Sequence, residues 1–228
     1  TVEHHEAPRY TYTNGELDLT QSVPGLLPMV AKEMPYFSKI SIHGPINGSD
    51  LLFFIENKER IDALDLSDTH VVSGGRTLVP RRRSGQPEPS PISVTDGVLP
   101  PLFAQQLLIK SLTLPKGLTS LVDFGLSYTF VSLTVPEGYE ELHLGEFATE
   151  HLTLPKSLRR LYCNQPKLFV ERSGGEEELK ISSVKEPLIL PEGLRELRAL
   201  LELSAPLTIP SSVEEITLSY VVVRIWDE

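Results

Sequence analysis

A single cysteine, Cys163, serves all 228 residues, so no intramolecular disulfide is possible. Cys163 reads as a small buried hydrophobe. No apolar run approaches the roughly 18 residues needed to cross a bilayer. Nor does a charged segment followed by an apolar one open the chain, so the expectation is a mature or truncated product without its export signal. A basic surplus is also missing: 21 Lys and Arg face 31 Asp and Glu, a formal charge of −10. That excludes a nucleic-acid or anionic-membrane footprint, which needs clustered cations to release counterions. With 40% apolar and 23% charged residues, the rest of the composition is that of an ordinary globular protein.

What the chain has is a repeat. Leu112-Thr-Leu-Pro115-Lys-Gly-Leu118, Leu133-Thr-Val-Pro136-Glu-Gly-Tyr139, Leu152-Thr-Leu-Pro155-Lys-Ser-Leu158, Leu188-Ile-Leu-Pro191-Glu-Gly-Leu194 and Leu207-Thr-Ile-Pro210-Ser-Ser-Val213 share one pattern. Each continues to an apolar residue six positions past its proline: Leu121, Leu142, Leu161, Leu197 and Ile216. Counted from the proline, offsets −3, −1, +3 and +6 are apolar in every copy, which chance produces with a probability on the order of 10⁻⁸ at this composition. The prolines are 21, 19, 36 and 19 residues apart. The long interval predicts two coils, the middle one disguised as Leu168-Phe-Val170-Glu and Glu177-Glu-Leu179-Lys-Ile181 around Gly174 and Gly175.

A period of about 20 is too short for helix pairs and sits at the low end of leucine-rich repeats. The Leu-x-Leu piece alternates as a short strand, the proline ends it, and Gly or Ser two residues later permits the turn. A second alternating piece follows, such as Glu141-Leu142-His143-Leu144 or Glu215-Ile216-Thr217-Leu218. Each coil is therefore two short strands whose leucines can be buried only against the next coil.

The N-terminal part carries a longer version. Lys39 to Ile42 and Ala63 to Leu66 read as strands 24 residues apart, separated by an Asn47-Gly48-Ser49-Asp50 helix start and the apolar Leu51 to Ile55. Val23 to Met34 predicts a further short helix, with Pro24 in its first turn. A partly helical cap is expected at this end. Gly74-Gly75, Arg81-Arg82-Arg83, Pro87, Pro89 and Pro91 mark 73–100 as a long exposed loop. Tyr220 to Trp226 reads as a closing strand. The organisation expected is an N-terminal cap with the first repeats over 1–72, the loop 73–100, and the main solenoid over 101–228, together one continuous domain. In fold class this is α/β but β-rich: a leucine-rich-repeat solenoid of about 20-residue coils with two short strands each.

These repeats resemble the BspA-type leucine-rich repeats of bacterial surface proteins. Ile40-Ser-Ile-His-Gly-Pro-Ile-Asn-Gly-Ser-Asp50 followed by Leu64-Asp-Leu-Ser-Asp68 resembles the start of such repeat regions, and the likeness covers roughly residues 15 to 220. The Ala-Phe-x-x-Cys segment usual between those repeats is eroded here, with Leu102-Phe103-Ala104 and Glu146-Phe147-Ala148 as its nearest remnants. The resemblance implies an exported protein, often a lipoprotein or surface-anchored module, associated with adhesion to host or matrix components.

No catalytic, cofactor or metal site emerges. His4 and His5 read as a solvated tail. His143 and His151 occupy non-apolar strand positions in neighbouring coils without Cys, Asp or Glu at zinc-ligand spacing. Glu176-Glu177-Glu178 reads as a solvated loop, and Arg81 to Arg83 as an exposed one. Gly74-Gly75-Arg76 lacks the spacing of a phosphate loop. Asn47-Gly-Ser49 matches a glycosylation sequon but reads as a turn and cap. Two outward columns follow from the repeat. Offset −2 gives Thr113, Thr134, Thr153 and Thr208, interrupted by Ile189; offset +5 gives Ser120, Glu141, Arg160, Glu196 and Glu215. Threonine suits an exposed strand face for structural reasons alone. Mixed charge and the lack of aromatics in either column suit a protein partner better than a stacked sugar. The sequence thus predicts a monomeric, non-enzymatic binding module for a host or matrix protein or polysaccharide, with no cofactor and no membrane insertion. The alternative is a structural spacer that positions another domain.

Overall fold

In the computed structural model the described residues are 7–79, 90–100, 103, 107, 109–118, 130–144, 149–163, 169–173, 176–180, 188–201 and 207–221. They form two compact units, Thr1–Leu121 and Val122–Glu228, each a β-solenoid of stacked coils with few helices. His4 and His5, Arg81 to Arg83, Ser120, Leu121, both Ala-Phe-x-x-Cys remnants apart from Phe103, and Trp226 lie outside the described residues.

The first unit opens with a hairpin, β1 (Arg9–Thr13) and β2 (Glu16–Thr20). Asn14 and Gly15 form its two-residue loop with φ of 53° and 83°, the pair of left-handed residues that a type I′ turn demands. From β2 onward the strands run parallel: β2 pairs β3 (Lys39–Ile46), β3 pairs β4 (Ala63–Val71), and β4 pairs β5 (Ser111–Thr113). Parallel strands need a crossover, and here those from β2 to β3 and from β3 to β4 carry short helices. α1 spans only Leu27–Val30, far less than the Val23 to Met34 expected. Pro28 falls in its first turn, where its missing N–H does no harm. α2 (Gly48–Glu56) starts where the sequence places it, at Asn47. The Asn47 side chain accepts from the Ser49 N–H at 2.9 Å while Asp50 accepts from the Asn47 N–H at 3.1 Å, a reciprocal cap.

Asp50 does more than cap. It is fully buried, and besides Asn47 it accepts from the Gly25 N–H at 2.7 Å, the Leu27 N–H at 3.2 Å and the Gln21 amide at 3.4 Å. One carboxylate thus satisfies the starts of both helices. Burial raises its pKa even against these donors. Gly44 permits another close approach: its φ is +108°, and an added Cβ would lie 2.0 Å from the Gln21 carbonyl. Below the sheet, Phe37, Phe53, Phe54 and Phe103 contact one another at 6.0 to 6.3 Å between ring centres, with edge-to-face or tilted geometry. Residues 73–100 are not simply exposed at their ends. Leu78 bridges Ile92, and Leu78, Val94 and Leu99 are buried.

In the second unit the first described coils take the predicted form. The strand before each proline, β6 (Phe130–Thr134) and β8 (Thr149–Thr153), pairs with its counterpart in parallel. The strand after it belongs to a second parallel sheet in the order β7 (Glu141–Leu144), β9 (Arg160–Cys163), β12 (Glu196–Leu201) and β13 (Glu215–Val221). Corners are fixed by hydrogen bonds from the N–H at offset +3 to the proline carbonyl: Leu158 to Pro155, Leu194 to Pro191 and Val213 to Pro210, at 3.0 to 3.2 Å. Leu188 to Leu190 and Leu207 to Ile209 precede their prolines without forming ladders, so the later coils keep only one strand each. Burial also falls in the last described coil, where Ile209 and Ile216 are 38% and 46% exposed.

The disguised coil is not a coil. β10 (Phe169–Ser173) and β11 (Glu176–Lys180) pair antiparallel in a two-stranded sheet of their own. Two residues, Gly174 and Gly175, join them, a link that only antiparallel strands can use. Glu176 to Glu178 therefore lie in a strand, not a loop, and β9 pairs directly with β12 across the insertion.

Candidate binding face

Alternation along parallel strands sends every second side chain outward, and matched register lines those side chains into rows about 4.8 Å apart. In the first unit one row crosses all five strands: Thr11, Asp18, Ser41, Asp65 and Thr113. Hydroxyl and carboxylate alternate along it. A parallel row reads Arg9, Thr20, His43 and Asp68, and another Thr13, Glu16 and Lys39. Between β1 and β3 these side chains leave an open groove of about 430 Å³, lined by Thr11, Thr13, Glu16, Asp18, Lys39 and Ser41 among others. That volume is within the range of small-ligand clefts.

Charge on this face is unevenly neutralised. Asp62, Asp65 and Asp68 recur every third residue around β4, and each has partners. Asp62 accepts from the Tyr36 hydroxyl, which holds its pKa down, and pairs with Lys110 at 3.3 Å. At Asp65 burial is outweighed by the Ser67 hydroxyl and N–H and by Lys39 at 3.3 Å, so its pKa is lowered. Asp68 is lowered by Lys116 and then by His43. His43 sits between carboxylates, with Nδ1 3.0 Å from Asp68 and Nε2 3.4 Å from Asp18. The Asp68 bond raises its pKa more than burial lowers it. Among the described residues Asp18 meets only this imidazole edge and Glu16 has no partner. The groove side of the face therefore carries the less neutralised carboxylates.

The second unit presents the expected +5 column, with Glu141, Arg160, Glu196 and Glu215 in register across β7, β9, β12 and β13. Beside it runs a row the sequence reading passed over, at offset +7: His143, Tyr162, Arg198 and Thr217. The His143 and Tyr162 rings stack at 4.2 Å, and the Arg198 guanidinium lies 5.5 Å from the Tyr162 ring centre. The two rows bind each other. His143 meets Glu141 at 2.6 Å and the Tyr162 hydroxyl donates to Glu196 at 2.9 Å, while within the +5 row Arg160 meets Glu141 at 2.6 Å. Arg198 Nε lies 2.8 Å from Glu196 Oε1, an ionic contact without an N–H aimed at that oxygen. Its Nη2 also reaches Glu215 at 3.3 Å. Bonding to His143 lowers the pKa of Glu141, and burial followed by the Glu196 bond raises that of Tyr162. This ladder largely satisfies itself. The +7 row follows from the same offset arithmetic as the +5 row, and listing it would have found the aromatic pair.

No family model matches the chain, and comparison with curated proteins and with solved structures gives no match either. Geometry therefore carries the functional argument.

The other residues singled out in the sequence take these places. His143 is on β7 and His151 on β8, strands of different sheets, so the two do not share a face. Among the described residues no group of three or more His, Cys, Asp and Glu is placed to hold a metal ion. Gly74 and Gly75 have φ of 95° and 74°; the Arg76 N–H donates to Ser49 Oγ at 3.1 Å, so this segment braces the start of α2. Asn47 and Ser49 of the sequon are committed to that cap. Cys163 ends β9, in register with Leu144 and Ala199. Thr134 and Thr153 of the −2 column are in register on β6 and β8, and Ile189 points outward, 79% exposed. No helix among the described residues is long and apolar enough to cross a membrane.

Proposed function

We propose that the chain is a non-enzymatic binding module of an exported bacterial leucine-rich-repeat protein, making contact with a protein or glycan at the cell surface. The observation that carries this reading is the row Thr11, Asp18, Ser41, Asp65 and Thr113 with the groove beside it. A stack of paired strands holds these donors and acceptors at fixed spacing, so little backbone freedom remains to be lost on binding. The outward face of a solenoid is where such proteins bind partners. Export and surface location rest on the resemblance to BspA-type repeats.

The test is a screen of the purified chain against matrix proteins, mucins and polysaccharides. The triple variant Thr11→Val, Asp18→Ala, Ser41→Ala runs alongside, with its fold checked by circular dichroism. A saturable partner lost in the variant supports the module and its face. Binding that survives assigns the partner to another surface. No partner at all, from folded protein, favours a structural spacer instead.

A further inference from the structure

We propose that the chain self-associates through β1, two copies pairing antiparallel about a two-fold axis at Thr11. β1 is the outer strand of its sheet, with β2 on one side and no described strand on the other. Its two-residue turn closes on the hydrogen-bonded pair Thr13 and Glu16. Pairing alternates along an antiparallel ladder, so the N–H and C=O groups of Thr11 also face β2. Those of Tyr10 and Tyr12 then face the open edge.

Natural edge strands are protected by lysine, proline, bulges or covering segments. β1 reads Arg-Tyr-Thr-Tyr-Thr, β-formers without a bulge or an internal proline. Tyr10 is 53% exposed although its register partner Leu19 is fully buried, so a core-facing aromatic projects past the edge of the core. Tyr12 already packs edge-on against Phe37 at 6.1 Å.

The strand is complementary to itself. With the axis at Thr11, Tyr10 meets Tyr12 of the second copy, and their N–H and C=O groups face each other to close the ladder. The two rings lie on the same core-facing side, an aromatic cross-strand pair, and Thr11 meets its own counterpart. Arg9, the only charged residue of β1, falls opposite Thr13, so no like charges meet. The interface is isologous and closed, which limits assembly to a dimer. It also carries the outward row of Thr11, Asp18 and Ser41 onto the second copy on the same side. A chain read as a monomer from sequence becomes a two-fold object.

Sedimentation equilibrium on the full chain tests this, with Tyr10→Pro as the breaking variant. That substitution removes an edge-facing N–H and the Tyr10 ring, both of which belong to the proposed interface, and leaves the β1–β2 ladder intact. The wild type is expected to show a reversible monomer–dimer equilibrium, and Tyr10→Pro to weaken it roughly tenfold or more. In a Cys163→Ala background, Thr11→Cys is expected to cross-link with oxidised glutathione. At a non-hydrogen-bonded pair the Cα atoms approach to about 4.5 Å, within disulfide reach. Thr13→Cys, held far from its counterpart by the same symmetry, is expected not to cross-link. A wild type that stays monomeric at the highest attainable concentration overturns the proposal. So does a dimer indifferent to Tyr10→Pro, or one in which Thr13→Cys cross-links as readily as Thr11→Cys.

Discussion

The two units solve the same problem, holding stacked parallel strands in register, by different means. In the first unit the β2–β3 and β3–β4 crossovers carry helices, the described core is rich in phenylalanine, and one buried carboxylate, Asp50, ties both helix starts to the sheet. In the second the crossovers are proline corners, and each corner makes its own small bond to the coil before it. Ser157 Oγ donates to the Tyr139 carbonyl and Ser212 Oγ to the Leu194 carbonyl, both at 2.8 Å. The Glu140 carbonyl accepts from the Arg159 and Arg160 N–H groups, and in the next two coils the Arg159 carbonyl accepts from Arg195 and Glu196 and the Arg195 carbonyl from Glu214 and Glu215. A concentrated bond network fails at one residue; a distributed one loses a little at each.

The strongest way to break this contrast is Asp50→Ala. It strands the N–H groups of Asn47, Gly25 and Leu27 in the interior, and is expected to cost about 3–5 kcal/mol by urea titration. Loss of amide-exchange protection should centre on α1 and α2. Leu161→Ala removes a fully buried rung from the second unit and should cost about 2–4 kcal/mol, set by how far the coils close over the gap. Ser157→Ala is expected to cost about 1 kcal/mol and Ser212→Ala a similar amount, the two adding independently. If Asp50→Ala proves no more damaging than Ser157→Ala, the contrast is wrong. Arg160→Ala, which breaks an exposed pair, should change stability by about 0.5 kcal/mol or less.

The smallest effect sharpens the charge map. His43 binds its proton more tightly in the fold than in the unfolded chain, because Asp68 and Asp18 flank it. Its contribution to stability is therefore complete below the ordinary value of 6.5 and lost as pH rises through the raised one. A stability profile over this window should flatten in His43→Gln, and an imidazole titrating at or below 6.5 by NMR would refute the bridging geometry.

Much of this was legible because burial imposes a period. Offsets −3, −1, +3 and +6 come out as buried rungs in the coil of Leu133, Val135, Tyr139 and Leu142, and the same frame locates the +5 column. The start of α2 was legible because Asn47 and Asp50 cap by local contact. Two elements escaped for opposite reasons. The β1–β2 hairpin announces itself by Asn14-Gly15, a turn signal that the search for leucines did not weigh. The β10–β11 hairpin was hidden by its length, which matches a coil; only the pairing partner of a strand distinguishes a coil from an insertion. The groove could not be read at all, since it depends on strands brought together from across the first unit.

That insertion has a consequence for how such a chain can change. β9 hydrogen-bonds to β12 as though they were consecutive, so the register of this sheet passes over the β10–β11 hairpin. The β10–β11 hairpin is therefore the place where the chain is expected to tolerate a change of length, while Leu188, Leu190 and Leu194 that follow it remain buried rungs of the next coil.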